Sequence, residues 1–244
     1  MENIGIERYN ILLQVTLFGT LHCSILLTIA IAAAAFAWLG RRGIFPVQSM
    51  VWILGAALAL NELVWWFYRY SREGVHVANL PLQLCDAAVW LSILACLTGA
   101  SLIVEFAYFA GLAGAGMALL TPNLLSPWPT YPAIYFFLAH GGIVVCMAAL
   151  VYGSARKFSH VSVWRAFALL LAYAALVGFI DRLSGANFMF LLRKPDAASP
   201  LDQMGAWPWY LVAGAAAGLA LFWLLWLPVR LLPAPAERPI EQHH

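Results

Sequence analysis

An all-α polytopic membrane protein, built as a single bundle of seven transmembrane helices, is predicted by three observations. Hydrophobic residues make up 64% of the 244-residue chain and charged residues only 10%, with a mean hydropathy of +0.83. Soluble domains carry about 25% charged residues, so this composition cannot cover a water-exposed surface. Seven apolar stretches meet the requirement of roughly 20 helical residues for crossing a hydrocarbon core of about 30 Å. Eleven tryptophans fit aromatic belts at the two membrane interfaces.

The first span is expected at about 17–39, preceded by "GIERYNILLQVT", a short interfacial helix or an extension of the span. The second, about 50–69, follows "GRRGIFP"; the third and fourth, about 81–98 and 101–120, are separated only by the turn "TGAS" and must be antiparallel neighbours. The fifth is expected at about 133–152, the sixth at 164–183 and the seventh at 208–228. Pro46, Pro81, Pro132 and Pro208 fall at or just before span starts, where the missing N–H is harmless. Residues 1–230 read as one transmembrane domain without internal repeats, and the proline-rich 231–244 as a disordered cytoplasmic tail.

Cys23, Cys85, Cys96 and Cys146 all lie in apolar runs, which excludes a soluble disulfide framework. The N-terminus lacks a basic n-region and a cleavage site, so no signal peptide is expected. His243 and His244 are given no function. The net charge of +2 is too small and scattered for a nucleic-acid partner. With seven spans, Arg41, Arg42, Arg156, Lys157, Arg165, Arg230 and Arg238 share one side, against Arg8, Arg69, Arg72, Arg182, Arg193 and Lys194 on the other. The tight basic clusters on the first side place it inside. An inner-membrane protein with an outer N-terminus and a cytoplasmic C-terminus is the expectation.

Ionisable groups within spans are costly and usually face the bundle interior or a cavity. Here they are His22, Asn61 with Glu62, Gln83, Cys85, Asp86, Glu105, His140 and Asp181. At about 1.5 Å of rise per residue, all but Glu105 fall in the same outer half, contributed by five helices. That asymmetry is the main functional signal. Taken singly, a membrane cysteine is usually apolar filler, a membrane His or Asn often just bonds a neighbouring helix, and Asp181 beside Arg182 reads as a helix-end ion pair. Glu62 and Arg69 stand two turns apart on one helix face, so Glu62 is expected to reach toward Arg69 or an interfacial partner.

Two loops join the same side. "TPNLLSPWPTYP", residues 121–132, brings Asn123, and the long loop 184–210 brings Asn187, Arg193, Lys194, Trp207 and Trp209. Aromatics beside basic residues suit a headgroup-level surface of membrane lipids; an ordinary interfacial loop is the plainer reading. A loop of this length is also a candidate lid.

"LPLQLC" opening the third span, "AHG" in the fifth and "NFMFLLRKP…SPLDQMGAWPWY" before the last resemble the YwaF-like family of bacterial integral membrane proteins, related to the eukaryotic transmembrane protein 164 family. The resemblance runs from "FGTLH" to the final helix. It implies a relation to acyltransferases that load acyl chains onto ether phospholipids, with Cys85 and His140 as the catalytic pair. Where the familiar form reads L-P-L-H-L-C, this chain has Gln83; a base would then be His140 or His22. On chemistry alone a thiolate is the nucleophile. The helix dipole fades within the first turn, so with a helix starting at Pro81 Cys85 is expected slightly beyond its reach. Neighbouring Asp86 and the apolar setting oppose ionisation, so a base such as His140 is needed. An oxyanion would rest on Gln83 or on backbone N–H groups.

Three readings stay open: a cysteine-dependent phospholipid acyltransferase, a non-catalytic membrane protein that binds or transports a lipid or small molecule, and a scaffold whose polar residues only hold helices together. No span shows an internal Gly/Pro break of the kind alternating access uses. No P-loop, dinucleotide, haem or metal motif is present, so no cofactor is expected. A metal on Glu62, Asp86 and His140 has no ligand spacing to support it. The oligomeric state is left open.

Overall fold

The computed structural model describes residues 15–124, 126–196 and 199–232. The expected helix over "GIERYNILLQVT" and the expected tail lie almost wholly outside these residues, as do Arg8 and Arg238. All described secondary structure is helical. Among the described residues six helices are long and apolar enough to cross a membrane: α1 Thr20–Arg42, α2 Val47–Glu73, α4 Ser101–Leu120, α5 Tyr131–Tyr152, α6 His160–Ser184 and α7 Trp209–Arg230. The seventh apolar helix, α3 Leu84–Thr98, has 15 residues. At about 1.5 Å per residue that is about 22 Å, short of a full crossing.

The expected third span at 81–98 thus begins three residues late. Leu80 precedes a proline, which disfavours the helical region, and its backbone is extended at φ −67°, ψ 153°. Gln83, the residue before α3, is also extended at φ −66°, ψ 150°. Non-helical backbone at membrane depth is tolerated only where protein satisfies it. Here the Leu82 carbonyl accepts the Tyr173 hydroxyl of α6 at 3.0 Å. Pro46 directly precedes α2 and Pro132 sits in the first turn of α5, as expected.

α3 and α4 are joined through Gly99 in the left-handed region, φ 63°, which lets the chain reverse within "TGAS". Successive spans therefore alternate in direction. One end of the bundle carries the starts of α1, α3, α5 and α7 and the ends of α2, α4 and α6; it is called the polar end here. α4 and α5 are central, with 56% and 61% of their apolar windows buried against 11% for α1 and α7.

Both central helices widen into a π turn, Ala107–Gly111 in α4 and Ala148–Tyr152 in α5. The turns bring Tyr108 and Tyr152 together, hydroxyl to hydroxyl, at 2.7 Å. Tyr108 in turn donates to the Leu225 carbonyl at 2.9 Å, tying in α7. At the opposite end α1 and α5 nearly touch: a Cβ on Gly40 would lie 2.9 Å from the Gly153 Cα.

Candidate functional site at the polar end

The late start of α3 changes the setting of Cys85. It becomes the second helical residue, inside the first turn, where unbonded N–H groups and the helix dipole favour an anion. The expectation that Cys85 lies slightly beyond the dipole's reach is corrected. Cys85 and Asp86 are partly buried. The Asp86 carboxylate turns back toward the Gln83 backbone N–H and lies in the field of Glu62 and Arg69.

Glu62 is fully buried on α2. Trp66 Nε1 donates to its Oε1 at 2.7 Å, and the Tyr135 hydroxyl of α5 donates to its Oε2 at 2.7 Å. It does not reach Arg69, which pairs with Glu73 at 3.3 Å one turn further along. The Trp65 ring stacks on Tyr135 at 4.2 Å, nearly parallel. A buried carboxylate with two neutral donors and an aromatic wall is a rigid post between α2 and α5.

The two histidines are sorted by their partners. A backbone N–H can only donate and a carbonyl can only accept. Phe18 N–H therefore donates to His22 Nδ1 at 2.9 Å, and His22 Nε2 donates to the Leu119 carbonyl at 2.8 Å. His22 is fully used as a staple between the start of α1 and the end of α4, and it has no nitrogen left to act as a base. His140 Nδ1 donates to the Phe136 carbonyl at 2.7 Å, so the neutral ring presents a bare Nε2 lone pair. That Nε2 is buried and without a partner.

No hydrogen bond joins Cys85 to His140 among the described residues, but their helices converge. Ala88 of α3 and Ile143 of α5 both face Gly111 of α4, whose added Cβ would lie 3.7 Å and 3.4 Å from them. α3 and α5 run parallel, and Cys85 and His140 each lie three residues before these contacts. They therefore occupy the same height, one turn nearer the polar end. Leu84 meets Gly114 of α4 at that height, 3.8 Å from its added Cβ.

The long loop closes over this region. Gln83 Oε1 accepts the Met189 N–H at 2.8 Å, and Asp181 Oδ1 accepts the Phe188 N–H at 2.9 Å. Asp181 is fully buried and pairs with this backbone rather than with the exposed Arg182, which corrects the expected ion pair. Asn187 Oδ1 accepts from Leu192 and Arg193 N–H, at 3.0 and 3.2 Å, and its Nδ2 donates to the Arg193 carbonyl at 2.9 Å. The turn is thus knotted in place. Lys194 lies 5.6 Å over the Tyr210 ring, and Trp207 Nε1 donates to the Leu191 carbonyl at 3.2 Å. Arg193 and Asn123 are exposed, as are Trp207 and Trp209 at 60% and 68%. These four form the rim rather than the interior. Asn61 faces a cleft between α1, α2 and α5. Among the described residues no three His, Cys, Asp or Glu side chains gather in a way that could hold a metal ion.

The region needs partners the sequence reading passed over: Tyr135 and Trp66, which hold Glu62, and Tyr173, which holds the irregular mouth of α3. Each is an aromatic with a polar tip inside an apolar helix, and only tertiary pairing marks it. A family-level comparison of the sequence matches residues 17–226 to the TMEM164 family. The chain belongs to the TMEM164 family. The match covers six of the apolar helices in full and α7 as far as residue 226, so Cys85, His140 and the long loop all lie within the matched residues. No curated protein and no solved structure matches the chain.

Proposed function

We propose that the chain is a membrane-embedded, cysteine-dependent acyltransferase acting on phospholipids. What carries the reading is the bare, buried Nε2 of His140 at the height of Cys85 on an adjoining parallel helix. Cys85 Sγ attacks an acyl ester carbonyl while His140 Nε2 takes the thiol proton. That proton then goes to the departing lysolipid oxygen, and a thioester remains. In the second half an acceptor hydroxyl gives its proton to His140 and attacks the thioester carbonyl. The expelled Cys85 sulfur takes that proton back from His140, which restores the thiol and the neutral ring. The N–H groups of the first turn of α3 support the oxyanion in both halves. The quoted motifs favour the YwaF-like bacterial branch, and the basic loops favour an inner-membrane setting with the polar end outside.

The alternative, a membrane protein that binds or carries a lipid without reacting with it, has one observation in its favour: an apolar cleft beside Asn61. The two separate in one experiment. Protein in vesicles is given phospholipid with an alkyne-tagged acyl chain, and hydroxylamine-labile label is read on Cys85. The acyltransferase reading expects that label, its loss in Cys85→Ala, and at least a hundredfold slower appearance in His140→Ala, about the usual worth of a general base. Wild-type protein that acquires no labile label from phosphatidylcholine, phosphatidylethanolamine or phosphatidylglycerol donors overturns it.

A further inference from the structure

A cleft of about 340 Å³ lies between α1, α2 and α5. Its walls run from Thr28 to Ala32 on α1, from Leu54 to Asn61 on α2 and from Phe137 to Cys146 on α5. Gly141 and Gly142 of α5 lie along it, with side chains of α1 and α2 packed close against them. A Cβ at Gly141 would lie 2.9 Å from Ile29, and one at Gly142 would lie 2.7 Å from Leu58. The lining is apolar apart from Thr28, Asn61 and the weakly polar thiol of Cys146. The Thr28 hydroxyl already donates to the Ser24 carbonyl at 2.8 Å. Asn61 Nδ2 is buried and has no acceptor.

The polar element is therefore at one end. Asn61 and Phe137 mark the end toward the polar face of the bundle. From Asn61 to Leu54 the cleft follows α2 for seven residues, about 10 Å of apolar wall at about 1.5 Å per residue. Water does not suit such a space, since a buried water needs two to four polar partners. A matching occupant has one acceptor oxygen at its head and a hydrocarbon tail behind it.

We propose that this cleft holds a single lipid acyl chain, with its carbonyl oxygen on the Asn61 amide and its hydrocarbon directed toward Leu54 and Cys146. The last torsion of an Asn side chain is broad, so a small turn presents the N–H to the carbonyl. Exposed neighbours on the same helices, Ala57 and Leu138, leave the cleft open sideways to the bilayer that supplies such chains. A free fatty acid and a phospholipid ester share the carbonyl chemistry. The proposal does not depend on thioester formation at Cys85.

The test uses the full chain in phosphatidylcholine vesicles containing either a free fatty acid or a phosphatidylcholine, each with a diazirine near the chain end and an alkyne handle. Illumination and peptide mapping are expected to place adducts on Leu54, Leu58 or Val145 in preference to the lipid-facing Ile53 and Leu60. Asn61→Leu is expected to lower cleft labelling by about three- to tenfold, the loss of one hydrogen bond. Ala57→Phe, which fills the cleft from an exposed position, abolishes it while retaining wild-type chromatographic behaviour. Cys85→Ala leaves it unchanged, which separates this site from the reaction. Labelling by the fatty acid alone or by the phospholipid alone identifies the source of the chain. Adducts spread evenly over Ile53, Leu60 and the cleft, or wild-type labelling in both Asn61→Leu and Ala57→Phe, overturn the proposal.

Discussion

Gln83 Oε1 accepts the Met189 N–H at 2.8 Å, so the residue just before α3 holds the turn of the long loop. A side chain two residues before Cys85 thereby ties the mouth of its helix to the segment after α6. Gln83→Leu leaves the Met189 N–H without a partner in a partly buried setting, a cost of about 1–3 kcal/mol. The expected outcome is an apparent Tm lower by about 2–12 °C in detergent and faster proteolytic cleavage between Asn187 and Trp207. An unchanged cleavage rate would mean that apolar packing alone holds the loop.

His22 and His140 make opposite predictions. His22 uses both nitrogens, one to each of two backbone groups. His22→Phe strands the Phe18 N–H and the Leu119 carbonyl and costs about 2–6 kcal/mol, two such groups together. His140→Phe gives up only the bond to Phe136, whose carbonyl remains within a helix, and costs about 1 kcal/mol. Thermal unfolding of the two variants checks the order. Labelling at Cys85 reverses it, with His22→Phe retaining label among the folded fraction and His140→Phe losing it.

The all-helical class and the positions of the long spans were legible because apolar runs of this length have no other stable form in a bilayer. The start of α3 was legible in kind and misplaced by three residues. Pro81 marks a helix start in many proteins, but here the irregular backbone from Leu80 to Gln83 is held by Tyr173 and Met189, both distant in sequence. The π turn over "AYFAG" carries no sequence signature. The concentration of polar groups at one end was readable from depth alone. Their pairing was not, since Glu62 chose Tyr135 on α5 over Arg69 on its own helix.

The Glu62–Tyr135 bond gives a coupled pair. Tyr135→Phe leaves one oxygen of a fully buried carboxylate unsatisfied, while Trp66 still serves the other. A loss of about 1–3 kcal/mol is expected. Glu62→Gln keeps an acceptor and a donor at the same place and is milder. In the double variant the losses do not add, and an interaction energy of about 0.5–3 kcal/mol between contacting residues is expected. Additive losses would show that the two side chains act independently.

Glu105, the one acidic residue of the spans outside the polar half, tests how this bundle carries a charge. Arg165 Nη2 donates to its Oε1 at 2.7 Å, and the Ser162 hydroxyl donates to the same oxygen at 3.0 Å. Its Oε2 is buried without a partner. The Glu105 side chain is only 6% exposed, whereas Arg165 is 52% exposed. The carboxylate is therefore the member that suffers when the pair is broken. Arg165→Ala leaves it buried and uncompensated, with an expected loss near the lower end of the 3–5 kcal/mol (about 3) typical of a broken buried pair, because Ser162 still donates. Replacing both residues, Glu105→Leu with Arg165→Leu, removes the charge as well as its partner and is expected to be close to neutral. Apparent Tm in detergent reads both variants. A double variant as unstable as Arg165→Ala would mean that α4 and α6 depend on the ion pair itself rather than on the absence of an unpaired charge.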